Sequence, residues 1–261
     1  MELGLKGKVA LVAASSQGLG LAIAEALVRE GAHVMITSRN PEKLHKVKEE
    51  LTKLGSGLIE YKACDLTKAD DIQNLAEETA KRFSTIDLLV NNAGGPPSGT
   101  FEQMSDEDWQ NSFELNLLSH VRLIRSVIPH MRGKGGKIVN IASSSVKEPI
   151  PGLILSNTFR LGIVGLTKTL SSELAPYQIL INTVAPGRIS TDRVAQLDRS
   201  AAEKHGISIS EVEENAKRAI PVGRYGKPSE FASYVLFLLS DVNSYITGQT
   251  HLVDGGMVKS V

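Results

Sequence analysis

Short, almost continuously apolar runs alternate along this chain with segments of helical period, and that alternation limits its possible folds more than any other feature. Apolar, β-branched runs occupy Lys8–Ala13, Ala32–Ser38, Leu58–Cys64, Ile86–Asn91, Lys137–Ala142, Ile179–Ala185 and Thr250–Val253. Helical patterns separate them at Gly18–Glu30, Asn40 to about Gly55, about Lys68 to Phe83, Asp106–Met131, Leu153–Ala175 and about Pro228–Ser240. Runs with no polar face predict strands covered on both sides, and hence a parallel sheet. The expected fold is α/β: a doubly wound, Rossmann-like parallel sheet of about seven strands with helices on both faces. Asn40 reads as a helix N-cap followed by Pro41 at the first helical position. No linker or long repeat breaks the pattern, so a single domain over residues 1–261 is expected.

Charge and composition exclude several function classes. Lys+Arg and Asp+Glu each number 29, with neither a basic excess nor a basic stripe, so no nucleic-acid partner is expected. The longest apolar run, Tyr234–Leu239, is far short of a membrane span, and Glu2 stands where a signal peptide would be basic. A single cysteine, Cys64, permits no intrachain disulfide and fits a reducing, cytoplasmic setting. No metal site is expected.

The first strand runs into Ser15, Ser16, Gln17, Gly18, Leu19 and Gly20, then into an apolar helix. Small residues at a strand-to-helix turn let main-chain N–H groups and the positive helix end approach a pyrophosphate. Gly18 and Gly20 are equally readable as packing glycines, because the strict G-x-G-x-x-G spacing is absent. After the second strand, Ser38 and Arg39 stand where a carboxylate would hydrogen-bond the ribose of NAD. An arginine there attracts a 2′-phosphate, or else is an ordinary solvated side chain.

Three further motifs give the chain a family likeness. Asn91-Asn92-Ala93-Gly94 follows the fourth strand, Pro186-Gly187 the sixth, and Ile246-Thr247-Gly248-Gln249 precedes Asp254-Gly255-Gly256. In this order, from about Leu5 to Met257, the chain resembles the short-chain dehydrogenase/reductase family, and within it the 3-oxoacyl-acyl-carrier-protein reductase branch. The resemblance implies NADP(H) as cofactor, with Asp65 and Leu66 flanking the adenine, Asn92, Ala93 and Gly94 along the cofactor, and Pro186, Gly187, Ile189 and Thr191 near the nicotinamide. It departs from the family's Thr-Gly-x3-Gly-x-Gly at Ala13 and Ala14; a methyl group at Ala14 is expected to be tolerated.

The family's catalytic set is Asn, Ser, Tyr and Lys. Asn116 and Ser143 match the first two. Thirteen residues beyond Ser143, where the family has its Tyr, stands Ser156; four further on, in place of the Lys, stands Arg160. No tyrosine occurs between Tyr61 and Tyr177, so no shift of register restores one. A serine hydroxyl is a far weaker acid than a phenol, and a guanidinium gives up no proton. The likeness therefore supports an oxidoreductase acting on a ketone or secondary alcohol (a 3-oxoacyl thioester among them) through an altered catalytic set. It also leaves open a pseudoenzyme that binds NADP(H) in a regulatory or scaffold role. Lys147 and His205 each read first as surface residues and second as candidate substitute acids. A helical substrate lid is expected around 188–221, with an amphipathic helix at Ser210–Ile220. Arg122, Arg125 and Arg132 are a candidate docking patch for an acyl carrier or equally a subunit contact, and Leu115, Leu118, Val121 and Ile124 exceed what one buried helix face needs, which predicts a homotetramer.

Overall fold

In the computed structural model, which describes residues 2–260, one seven-stranded sheet runs through the molecule. Its strands are β1 (Val9–Val12), β2 (His33–Ser38), β3 (Ile59–Ala63), β4 (Leu88–Asn91), β5 (Gly136–Ile141), β6 (Ile179–Pro186) and β7 (Thr250–Val253). All neighbours pair in parallel, in the order β3-β2-β1-β4-β5-β6-β7. The expected doubly wound fold is the observed one. The order reverses direction between β1 and β4, and in open parallel sheets ligands bind outside the strand ends at that point.

The helices are α1 (Gly18–Arg29), α2 (Pro41–Thr52), α3 (Ala69–Phe83), α4 (Asp106–Phe113), α5 (Ser119–Met131), α6 (Ile154–Leu174), α7 (Asp192–His205), α8 (Ile209–Ala219) and α9 (Pro228–Leu239). One face of the sheet is covered by α1, α2 and α9, through residues such as Ile23, Leu27, Leu44 and Phe231. The other is covered by α3, α5 and α6, through Leu75, Leu123, Val127 and Leu174. Every residue of β1 and β4 is buried, as strands sandwiched between two helical layers require. Asn40 caps α2 by accepting from the Lys43 N–H at 2.9 Å, with Pro41 opening the helix.

Two expected elements differ in the structure. The long helix over 106–131 is broken: Glu114–Leu118 forms a π-helical turn between α4 and α5. The turn carries Asn116, whose Nδ2 donates to the Gly94 carbonyl at 2.6 Å, so a tertiary bond accompanies the widened turn. The lid region holds two helices, α7 and α8, where the sequence pattern marks only the second.

Candidate active site

A cleft of about 1010 Å³ opens at the switch point, along the carboxyl ends of β1, β2, β4, β5 and β6. Its nucleotide end is built on the turn from β1 into α1. At the end of β1 the chain turns through Ala14, at φ 48°, and Gly18, at φ 60°. Ser16, Gln17, Gly18 and Leu19 line the cleft there, at the start of α1. Ser15 and Gly20 lie behind that surface. Ser15 Oγ donates to the Val12 carbonyl at 2.8 Å and accepts from the Thr37 N–H at 2.9 Å, tying β1 to β2. A Cβ on Gly20 would sit 2.4 Å from the Ala14 carbonyl oxygen, so this glycine admits close packing of turn against helix. Gly18 lines the cleft, whereas Gly20 packs against the turn, the packing reading at that position.

Ser38 and Arg39 line the same end. Ser38 Oγ is buried and has no partner among the described residues, whereas Arg39 is exposed. Asp65 accepts from the Thr67 N–H at 3.0 Å and the Thr67 hydroxyl at 2.8 Å. The Thr67 main-chain bond above all, with Arg39 and Lys68 nearby, holds the Asp65 carboxyl below its usual range. Asn92 Nδ2 donates to the carbonyls of Ala13, at 3.4 Å, and Ala14, at 3.3 Å, which fixes the turn from behind. Asn91 Nδ2 donates to His120 O at 3.0 Å, tying β4 to α5.

The chemical end is made of side chains. Ser143, Ser156 and Arg160 line the cleft together with Gly94, Gly95, Pro186, Gly187, Ile189 and Thr191. Ser156 and Arg160 lie four apart on the inner stripe of α6, which continues through Ile163, Thr167, Ser171 and Leu174. That stripe is anchored by Asn140 Nδ2 donating to Thr167 Oγ1 at 2.9 Å, and by the Thr167–Thr183 hydroxyl pair at 2.8 Å. Ser143 Oγ accepts from the Ser145 N–H at 3.2 Å, which leaves its proton free to be donated. Ser156 is 8% exposed, and its hydroxyl has no partner among the described residues. Gly187 must be glycine, since a Cβ would lie 2.6 Å from that of Asp254. Asn116 stands behind the wall. Its Oδ1 is buried without a partner, and its Nδ2 holds the Gly94 carbonyl.

Arg160 is 5% exposed. Its guanidinium donates to three main-chain carbonyls: Ile141 at 2.9 Å, Ala93 at 3.2 Å and Gly94 at 3.4 Å. Burial, and then the like charge of Arg193, bring it down to about 10. Behind it lies His120, fully buried, its Nε2 without a partner among the described residues. Burial first, then the Arg160 charge, push His120 down to about 3, so it is neutral at ordinary pH.

Several expected residues lie elsewhere. Lys147 and His205 are exposed and do not line the cleft, so neither stands as a substitute acid. Lys147 follows the short turn Ser144–Val146, and His205 ends α7 on the side away from its N-terminus. Arg122 is spent on the Glu114 carboxylate and the Thr67 carbonyl, both within 2.9 Å, and Arg132 stacks over the Tyr177 ring. Two of the three arginines proposed as a docking patch therefore have local partners. Residues not anticipated include Asn40 and Lys43 at the nucleotide end, and Pro96, Val194, Leu197 and above all Arg193 at the chemical end. Arg193 sits in the first turn of α7, capped by Thr191, whose hydroxyl accepts from the Val194 N–H at 3.5 Å.

Fold and cleft together define a doubly wound α/β protein with a large cleft at the strand-order reversal. The sequence model described as enoyl-(acyl carrier protein) reductase matches residues 13–258. A 3-oxoacyl-[acyl-carrier-protein] reductase of Aquifex aeolicus is 37% identical over 258 residues, covering 98% of this chain and all of the relative. Human dehydrogenase/reductase SDR family member 4 is 36% identical over 257 residues, covering 97% of this chain and 88% of the relative. Among solved structures, L-sorbose reductase from Gluconobacter frateurii, complexed with NADPH and L-sorbose, superposes with a TM-score of 0.95 at 32% identity over the whole of both chains. An actinorhodin polyketide ketoreductase with NADPH gives a TM-score of 0.91 at 32% identity, covering 96% of this chain and 97% of its own. The chain belongs to the short-chain dehydrogenase/reductase family.

Proposed function

We propose that this protein is an NADP(H)-dependent oxidoreductase that exchanges a hydride between the nicotinamide and a ketone or secondary alcohol. One arrangement carries the reading: a single cleft holds Ser38 and Arg39 at one end and gathers Ser143, Ser156 and Arg160 at the other. The residues present fit the cofactor. The buried, unpartnered Ser38 hydroxyl and the Arg39 charge suit a 2′-phosphate, and the turn over Ser16–Leu19 suits the diphosphate. The NADPH complexes of the two reductases above support the same choice. When bound, the cofactor supplies or takes the hydride.

The chain's own residues then orient and protonate. Ser143 donates to the substrate oxygen. Ser156, its hydroxyl uncommitted, relays a proton between that oxygen and water. Arg160 holds the Ala93–Gly94 backbone and Ile141 in place and adds positive charge where an alkoxide develops. Asn116 acts through the Gly94 carbonyl as a positioning residue. Residues 1–261 act as one domain, and α7 and α8 form the substrate lid over 188–221.

Isothermal titration with NADPH and NADH tests the cofactor; at least tenfold tighter binding of NADPH is expected, and equal affinity overturns that choice. NADPH consumption over a ketone panel tests the reaction. One observation favours the alternative, a pseudoenzyme: Arg160 spends its bonds on main-chain carbonyls, a structural use of the residue at the family's lysine position. Retention of bound NADPH without oxidation on every ketone would support it.

A reducing, cytoplasmic setting suits the single buried thiol, which burial pushes up to about 12. A homotetramer is supported by the exposed Leu161 on α6 and by the half-buried Leu118 and Val121. A monomeric mass by light scattering at micromolar concentration would reject it.

A further inference from the structure

We infer that the compound handled at the chemical end carries a carboxylate, bound by Arg193 within the field of Arg160; the inference rests on the oxidoreductase reading above. Two guanidinium groups flank the Gly94-Gly95-Pro96 loop. Arg160 holds it from the sheet side, through the Ala93 and Gly94 carbonyls. Arg193 reaches it from α7 and donates to the Pro96 carbonyl at 2.6 Å. It lies so close that a Cβ on Gly95 would meet its Nε at 2.7 Å. Both arginines line the cleft.

Neither has a carboxylate partner among the described residues. The one acid buried on α7, Asp198, is committed to Arg188 and to the Tyr225 hydroxyl, which donates to it at 3.0 Å. Asp192 lines the cleft as well but is exposed at the helix start and forms no ion pair with Arg193. Burial pushes the Arg193 guanidinium down, and no acid offsets it. Arg193 is half-buried, and a guanidinium that lines a cleft with no carboxylate beside it is open to an anionic partner. Here the partner is supplied by the ligand.

The remaining donors admit a carboxylate. Arg193 commits one Nη2 hydrogen to Pro96 O and one Nη1 hydrogen to Gln196 Oε1, at 3.1 Å. Three of its five N–H donors remain, enough for the two oxygens of a carboxylate. The adjoining walls, Pro96, Leu115, Leu153, Val194 and Leu197, are apolar and suit a short carbon skeleton. The substrate class is thus a small oxo acid and its hydroxy acid. In reduction the ketone carbon gains a C–H bond by hydride from NADPH, the carbonyl π pair moves to oxygen, and the oxygen takes a proton from water through Ser156. NADP⁺ and the hydroxy acid result, with the carboxylate unchanged.

The test titrates the NADP⁺-saturated protein, which cannot reduce its ligand, with acetoacetate and levulinate and with the methyl ester of each. At least one acid should bind tenfold or more tighter than its ester, and Arg193→Met or Arg193→Gln should abolish that preference. Equal binding of acid and ester, no binding of either, or tighter binding of a matched phosphonate overturns the inference. So does a preference that survives in both variants. The wild-type comparison stands even where a variant fails to fold, which its thermal melt reports. Should NADP⁺ not bind, the same titration on the unloaded protein reads the carboxylate site. Parallel NADPH consumption separates the two proposals. Esters or 3-oxoacyl thioesters reduced as fast as acids would sink the carboxylate site alone. Acids bound with preference, but never reduced, would sink the hydride-transfer reading alone.

Discussion

The nucleotide end of the cleft is built on a strand-to-helix turn with polar side chains at its rim, whereas the chemical end gathers Ser143, Ser156 and Arg160 from the end of β5 and from α6. The first end is a turn held by Ala14, Gly18 and Asn92, with exposed Arg39 added at its rim. Ala14 stands there at a left-handed position and lines the cleft. The second end depends on the identity of single residues. Under the proposed reading, Ser156 offers a hydroxyl as the acid, and Arg160 is a cation fixed by three carbonyls.

The largest test of that contrast restores the family pair. Ser156→Tyr with Arg160→Lys should raise ketone turnover by about 10²–10⁴, the range a positioned general acid supplies, as read by NADPH consumption. Overpacking by the ring costs roughly 1–3 kcal/mol of stability, read by denaturant unfolding. Unchanged turnover in a folded, NADPH-binding double mutant would mean that the chemical end is not organised around that acid.

Acid tests the burial of the chemical end. His120 is held near 3 in the fold against 6.5 unperturbed, so below 6.5 the unfolded chain takes a proton that the native state refuses. Stability should therefore fall as pH drops from 6.5 towards 3, by up to about 1.4 kcal/mol per pH unit. His120→Val should remove that slope in urea titrations. A slope unchanged by the substitution would place its source elsewhere.

The nucleotide end should respond more gently. Arg39→Ala should remove most of the preference for NADPH over NADH, a tenfold change worth about 1.4 kcal/mol, measured by calorimetry. The smallest effect concerns Ala14, at φ 48°. A left-handed Ala costs about 1–2 kcal/mol, partly offset by the extra freedom a Gly has when unfolded. Ala14→Gly should then stabilise the fold by roughly 0.5 kcal/mol, seen as a small rise in the urea midpoint. Destabilisation would show that the turn has adapted to the methyl group.

The contrast also explains what could be read in the residues beforehand. The seven strands were legible because burial on both faces leaves each of them apolar, and the nucleotide turn because its small residues follow a strand. The expectation that the Ala14 methyl group is tolerated rested on space; the strain at that residue lies in a dihedral angle, which no residue type announces. The π turn was not legible, since Glu114–Leu118 has ordinary helical composition and its widening accompanies a tertiary bond to Gly94. Helix α7 was missed because its buried residues are only Asp198 and Ala202, too few for an apolar stripe. With α7 went Arg193, whose position depends on how that helix crosses the Gly95 loop. Ser156 and Arg160 were found by spacing from Ser143, but the three carbonyls that hold Arg160 come from two different strand ends.

Hydride transfer is the central claim, and isotope transfer tests it most directly. The protein would be incubated with NADPH deuterated at the transferring C4 position and with a panel of ketones and oxo acids, and the products examined by mass spectrometry. The account predicts one deuterium at the carbinol carbon of a hydroxy product, in step with NADP⁺ formed, and loss of that product in a Ser143→Ala variant that still binds NADPH. Tightly bound NADPH that remains deuterated and unoxidised with every compound would contradict it.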